Sequence, residues 1–147
     1  VESTMALPYY IEQYLFEKKP LPAFETGLTS QMVGLSLSTA GSSERKKAVL
    51  QKTFASKIDN KRILNRAGLR LMDNERYNDA IGLLLLNVEL YSDDGNLWDS
   101  LGEAYFVSGQ YALAKQAFTQ AIERKPAENC FWCDNSAARL QQISEAD

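Results

Sequence analysis

The chain has 147 residues and a mass of 16.5 kDa, enough for one domain with a substantial core. Its net charge is −3 and its pI about 5.1, so it has no basic field to meet a phosphate backbone, and nucleic acid is not an expected partner. It contains 0 histidines, which removes the commonest general base and metal ligand and every Ser-His or Cys-His nucleophile pair; no catalytic residue, metal or cofactor is expected.

The first residue is Val1 and no signal-peptide pattern follows it, so the sequence is expected to be either a processed mature protein or a piece cut from a longer one. Pro8 suits the first turn of a helix running to about Lys18, with Tyr10, Ile11, Tyr14 and Leu15 as its apolar stripe. Tyr9 and Phe16 lie on another side, so the helix is aromatic on more than one face. Tyr9, Tyr10, Tyr14 and Phe16 are therefore expected to form a docking patch for a separate domain or a second copy. The alternative is that the loop from Pro20 to Gly27 folds back over them.

Two more helices are expected from Leu28 to about Thr39, with Met32 and Leu35 inward, and from Glu44 to about Ser56, with Ala48, Val49 and Phe54 inward. They read as a divergent hairpin stacked on the helices beyond residue 58. Residues 1–58 make up this N-terminal helical segment. The basic runs Arg45-Lys46-Lys47 and Lys61-Arg62 read as exposed helix faces.

From residue 59 onward the chain repeats itself. A shift of 34 carries Gly68 onto Gly102 (102 − 68 = 34), and likewise Leu64 onto Trp98, Tyr77 onto Tyr111, Ala80 onto Ala114, Leu84 onto Phe118 and Val88 onto Ile122. The second copy reads Trp98-x2-Leu101-Gly102-x2-Tyr105, then Gly109-x-Tyr111-x2-Ala114-x3-Phe118, then Pro126. That pattern resembles the tetratricopeptide (TPR) repeat nearly position for position. Each position has a mechanical role: Gly102 and Ala114 let paired helices approach closely, Trp98, Leu101 and Tyr105 share one helix face, and Pro126 ends the last helix.

Four helices are expected: Asn60–Asp73 with Asp59 as cap, Arg76–Leu90, Asn96–Ser108 after the turn Asp93-Asp94-Gly95, and Gln110–Lys125. A terminal helix comes next, capped by Asp134 or Asn135 and running to about Ser144, with Ala138, Leu140 and Ile143 inward. The expected fold is all-α: antiparallel helical hairpins stacked as a TPR-like right-handed superhelix with flanking helices. Residues 59–147 would hold two repeats, about 61–94 and 95–128, and the cap.

The resemblance implies a concave face built from the first helix of each repeat: Arg62, Asn65, Leu69, Met72, Asn96, Asp99, Glu103 and Phe106. Leu69 and Glu103 stand where repeats that clamp a peptide carboxylate would need Asn or Lys, so an acidic C-terminal tail is a poor ligand. The face either binds a protein or peptide or is covered by neighbouring helices.

Cys130 and Cys133 enclose Phe131 and Trp132. A redox pair would need a βαβ context and zinc would need four ligands, so a local disulfide or two free thiols remain. Phe131 and Trp132 are expected to plug the end of the stack. The longest apolar run, Ile81 to Leu86, falls far short of the roughly 20 residues of a membrane span.

The stretch Leu86-Asn87-Val88-Glu89-x-Tyr91, followed by Asp99-Ser100-Leu101-Gly102-Glu103-Ala104-Tyr105, is similar to the C-terminal repeats of bacterial serine hydrolases, either β-lactamase-related or α/β-hydrolase esterases. The resemblance implies an accessory domain, with residues 1–58 as a link from a missing catalytic domain, and a periplasmic or cell-envelope location, with the cytoplasm as the alternative. No Ser-x-x-Lys or Gly-x-Ser-x-Gly motif is present. Two functions are therefore expected of this non-catalytic chain: a module for contact with a protein, peptide or second copy, or a structural accessory of its own hydrolase domain.

Overall fold

The computed structural model describes residues 24–54 and 61–146. Among them are seven helices and no strand: α1 Phe24–Ser38, α2 Ser43–Phe54, α3 Lys61–Asp73, α4 Tyr77–Leu90, α5 Gly95–Val107, α6 Tyr111–Glu123 and α7 Cys133–Ala146. The fold is an all-α helical repeat.

The pairs α3/α4 and α5/α6 are built alike. In α3, Ile63, Leu64, Ala67 and Leu71 recur at helical spacing and are buried. A Cβ on Gly68 would lie 2.6 Å from Cδ2 of Leu84, and one on Gly102 would lie 2.7 Å from Cδ1 of Phe118. The same close approach therefore holds both pairs together. The turns match as well. The amides of Arg76 and Gln110 each donate to the carbonyl of the residue five earlier, Leu71 and Tyr105, at 2.8 Å. This is a Schellman closure, and it places Glu75 and Gly109 at positive φ. Asp94 caps α5, its carboxylate accepting from the amide of Asn96 at 3.0 Å. α4 packs on α5 and α6 packs on α7, so the pairs stack into one body.

The first two helices depart from the expected hairpin. α1 lies on α3 and α2 lies on α4, with little contact between α1 and α2 themselves. The buried stripe of α2 is Lys46, Leu50 and Phe54, spaced i, i+4, i+8. Ala48, expected inward, is exposed, and Lys46, expected on an exposed face, is buried. The reason is electrostatic. Lys46 forms an ion pair with Asp79 of α4 and donates to the carbonyls of Ser36, at 2.8 Å, and Thr39. Every donor of the ammonium thus has an acceptor, which is what makes burying it tolerable.

In α7, Ile143 is buried and Leu140 partly so, but Ala138 is exposed and Ser136 is buried in its place. The helix begins at Cys133, so Asp134 lies in its first turn instead of capping it. Asp59, the helix expected at Pro8–Lys18 and the patch Tyr9, Tyr10, Tyr14 and Phe16 lie outside the described residues.

Candidate interaction surfaces

α7 lies against α5 and occupies the second half of the expected concave face. The Asp99 carboxylate accepts from Ser136 at 2.6 Å and from Asn135 at 3.0 Å. Glu103 accepts two bonds from the Arg139 guanidinium, at 2.6 and 3.0 Å. The same guanidinium stacks 4.1 Å from the centroid of Phe106, whose ring meets Tyr111 edge-on at 5.3 Å. Burial pushes the Asp99 carboxyl above its ordinary value, against the opposing hydrogen bonds from Ser136 and Asn135. The hydrogen bond to Glu103 raises the Arg139 guanidinium. Asn96 stands beside the Asp94 cap, half-buried.

The first half lies on α3. Arg62, Asn65 and Leu69 line an open groove of about 440 Å³ with Arg66, Arg70, Asp73 and Asn74. Met72 turns away from this groove and packs partly buried between the two main apolar clusters. Seven of the eight concave-face residues are thus divided among a polar groove, the core and the α7 interface, and Asn96 stands at the start of α5 beside its cap.

A larger groove, about 650 Å³, opens elsewhere, between α4 and α6 over the floor of α5. Leu101 and Tyr105 form the floor, Leu85 stands on the α4 side, and Leu113, Gln116 and Ala117 stand on the α6 side. The Tyr105 hydroxyl is pushed above its ordinary value by burial and then by the nearby Glu44 carboxylate. This surface carries no motif in the sequence. A signal for it existed: Leu113 stands 34 residues after Asp79 and is 40 % exposed, an apolar side chain facing outward where its counterpart is a buried carboxylate.

Cys130 and Cys133 form a disulfide with Cα atoms 5.5 Å apart. Trp132 between them is buried in a cluster with Ala121 and Cys133, and lies where a Cβ on Gly95 would be. Phe131, expected to share the plug, is 82 % exposed. The bridge closes a tight loop, and only one of the two enclosed rings faces the stack. Among the described residues there is no group of three or more His, Cys, Asp or Glu able to hold a metal, and no helix long and apolar enough to cross a membrane.

No curated protein matches this chain, and neither the structure nor the comparisons link it to serine hydrolases. Residues 95–128 match the tetratricopeptide repeat family, whose members generally mediate contact between proteins. The segment from α5 through the residues after α6 is therefore a tetratricopeptide repeat set among described residues whose regular structure is all helical.

Proposed function

We propose that this chain is a non-catalytic module for protein–protein contact, its ligand a protein or a peptide. The observation that carries this is the tetratricopeptide match over residues 95–128, supported by the repetition of the same glycine contacts and turn closure in α3 and α4. The test uses the purified full chain as bait for a phage-displayed random peptide library, with selected peptides then titrated by calorimetry. Saturable one-to-one binding is expected, together with no turnover of a p-nitrophenyl ester or a chromogenic β-lactam. Failure to select any saturable ligand, or substrate turnover by the folded chain, would overturn it.

A second reading is favoured by the Cys130–Cys133 disulfide, which suits an oxidising compartment. In it the chain is an accessory domain of an exported serine hydrolase, packing on its own catalytic domain or pairing with a second copy in the periplasm or cell envelope. Thiol alkylation in intact cells tests the location: two freely alkylated cysteines would place the protein in a reducing compartment, the cytoplasm.

A further inference from the structure

The two copies differ in what fills the outer groove beside their second helix. In the first copy α2 fills it: Leu50 and Phe54 are buried in one apolar cluster with Leu64, Ala67, Leu71 and Leu83. The helix lies so close to α4 that a Cβ on Gly82 would sit 2.9 Å from Cβ of Lys46. A shift of 34 carries that floor, Leu64, Ala67 and Leu71, onto Trp98, Leu101 and Tyr105. It carries the wall residues Asp79, Gly82 and Leu83 onto Leu113, Gln116 and Ala117. All six of the shifted positions line the 650 Å³ groove, which no described residue fills. One site in this molecule thus shows the kind of element that its repeat-related twin accepts.

From this internal equivalence we infer that the groove between α4 and α6 binds an amphipathic helix of a partner protein, about three turns long like the 12-residue α2. The inference rests on the protein-contact reading and names its surface. The substitutions between the copies set the chemistry of the bound helix. Leu113 in place of Asp79 offers no carboxylate, so an apolar residue replaces the lysine that α2 places there. Ala117 in place of Leu83 leaves room for a larger side chain. Lys115, on the groove wall where the first copy has Ile81, favours an acidic residue flanking the buried stripe.

The probes are two labelled peptides of residues 43–54, one with the native sequence and one carrying Lys46→Leu. Both are stapled across positions 44 and 48, which are exposed on α2, to hold the helix that so short a peptide would not keep in water. Each is titrated into the full chain and read by fluorescence anisotropy. The Lys46→Leu peptide is expected to bind at least tenfold more tightly than the native one. Leu113→Asp in the protein, which recreates the Asp79 environment, is expected to reverse that order. Ala117→Trp, which fills the groove, is expected to weaken both at least tenfold, with circular dichroism checking that each variant is folded. No binding of the Lys46→Leu peptide, or binding indifferent to both variants, overturns the inference. A dimer of the chain that Ala117→Trp dissociates also overturns it, by giving the groove to a second copy. Phage-selected ligands that ignore both variants sink the groove assignment while leaving the protein-contact reading standing; failure to select any ligand sinks the broader reading itself.

Discussion

Glu75 and Gly109 occupy the same place in the two copies (109 − 75 = 34), and both adopt positive φ, 61° and 84°. Each ends the first helix of its pair and lets the next residue's amide close back on that helix. The left-handed region costs an ordinary residue about 1 kcal/mol and glycine almost nothing. Glu75→Gly is therefore expected to stabilise the fold by up to about 1 kcal/mol, and Gly109→Ala to destabilise it by a similar amount, both measured by urea denaturation. A loss of stability in Glu75→Gly would show that strain at this turn is not limiting.

The packing of Gly102 against Phe118 predicts a cost for one added methyl group. Gly102→Ala should lose about 1–3 kcal/mol through overpacking, and Gly68→Ala, against Leu84, a comparable amount. Gly27 is the control. It lies in α1 with nothing within 4 Å of a built Cβ, so Gly27→Ala should be neutral or gain about 0.4–1 kcal/mol. Equal effects at the three positions would contradict the close-approach argument.

The buried pair Lys46–Asp79 predicts asymmetric losses. Lys46→Met leaves the Asp79 carboxylate, only 6 % exposed, with Arg76 at 3.1 Å from the solvent side as its ionic partner. A loss on the order of 3 kcal/mol is expected, the lower end for an orphaned buried charge. Asp79→Asn should cost less, because the ammonium keeps the carbonyls of Ser36 and Thr39. A double-mutant cycle over the pair is expected to be strongly non-additive, and additivity would mean the two side chains do not interact in solution.

Asp99 predicts a pH dependence. Its folded pKa is raised by burial above the ordinary value of 3.8, so the folded state holds this proton more tightly than the unfolded state does. Stability from this group should therefore fall as pH rises from about 3.8 through the raised folded pKa, and stay flat above it. Subtracting the stability profile of Asp99→Asn from that of the native chain should isolate that descending segment. A difference profile that rises with pH over the same window would reverse the assignment.

The Cys130–Cys133 bridge spans a separation of 3 residues, so the loop it removes from the unfolded chain is small. The loop-entropy relation gives about 2 kcal/mol for a ring of this size. Replacing both cysteines by alanine should lower the melting temperature accordingly, with the loss concentrated at the seating of α7. Hydrogen exchange in α7 is the sensitive readout. Unchanged protection there would show that Trp132 and the Arg139–Glu103 pair hold α7 in place without the bridge.

The helices from residue 61 onward could be read from the sequence because each position in the 34-residue pattern has a local meaning. Gly102 marks a close approach, Pro126 a stop, and the spacing of Leu101 and Tyr105 a buried face. These are properties of single helices and their immediate neighbours, and periodicity reports them directly. The fate of Lys46 and Ala48 could not be read that way. Which face of α2 is buried depends on Asp79, 33 residues away (79 − 46 = 33), and a lysine counts as exposed until its acceptors are in place. Asp99, Glu103 and Phe106 read equally well as a ligand face or a covered one, since only the docking of α7 brings Ser136 and Arg139 onto them. The open groove beside Leu113 belongs to the same class. A groove is defined by the distance between helices that are not neighbours in sequence, so the sequence determined the repeat, and the packing of α2 over one copy and not the other decided where a surface remains.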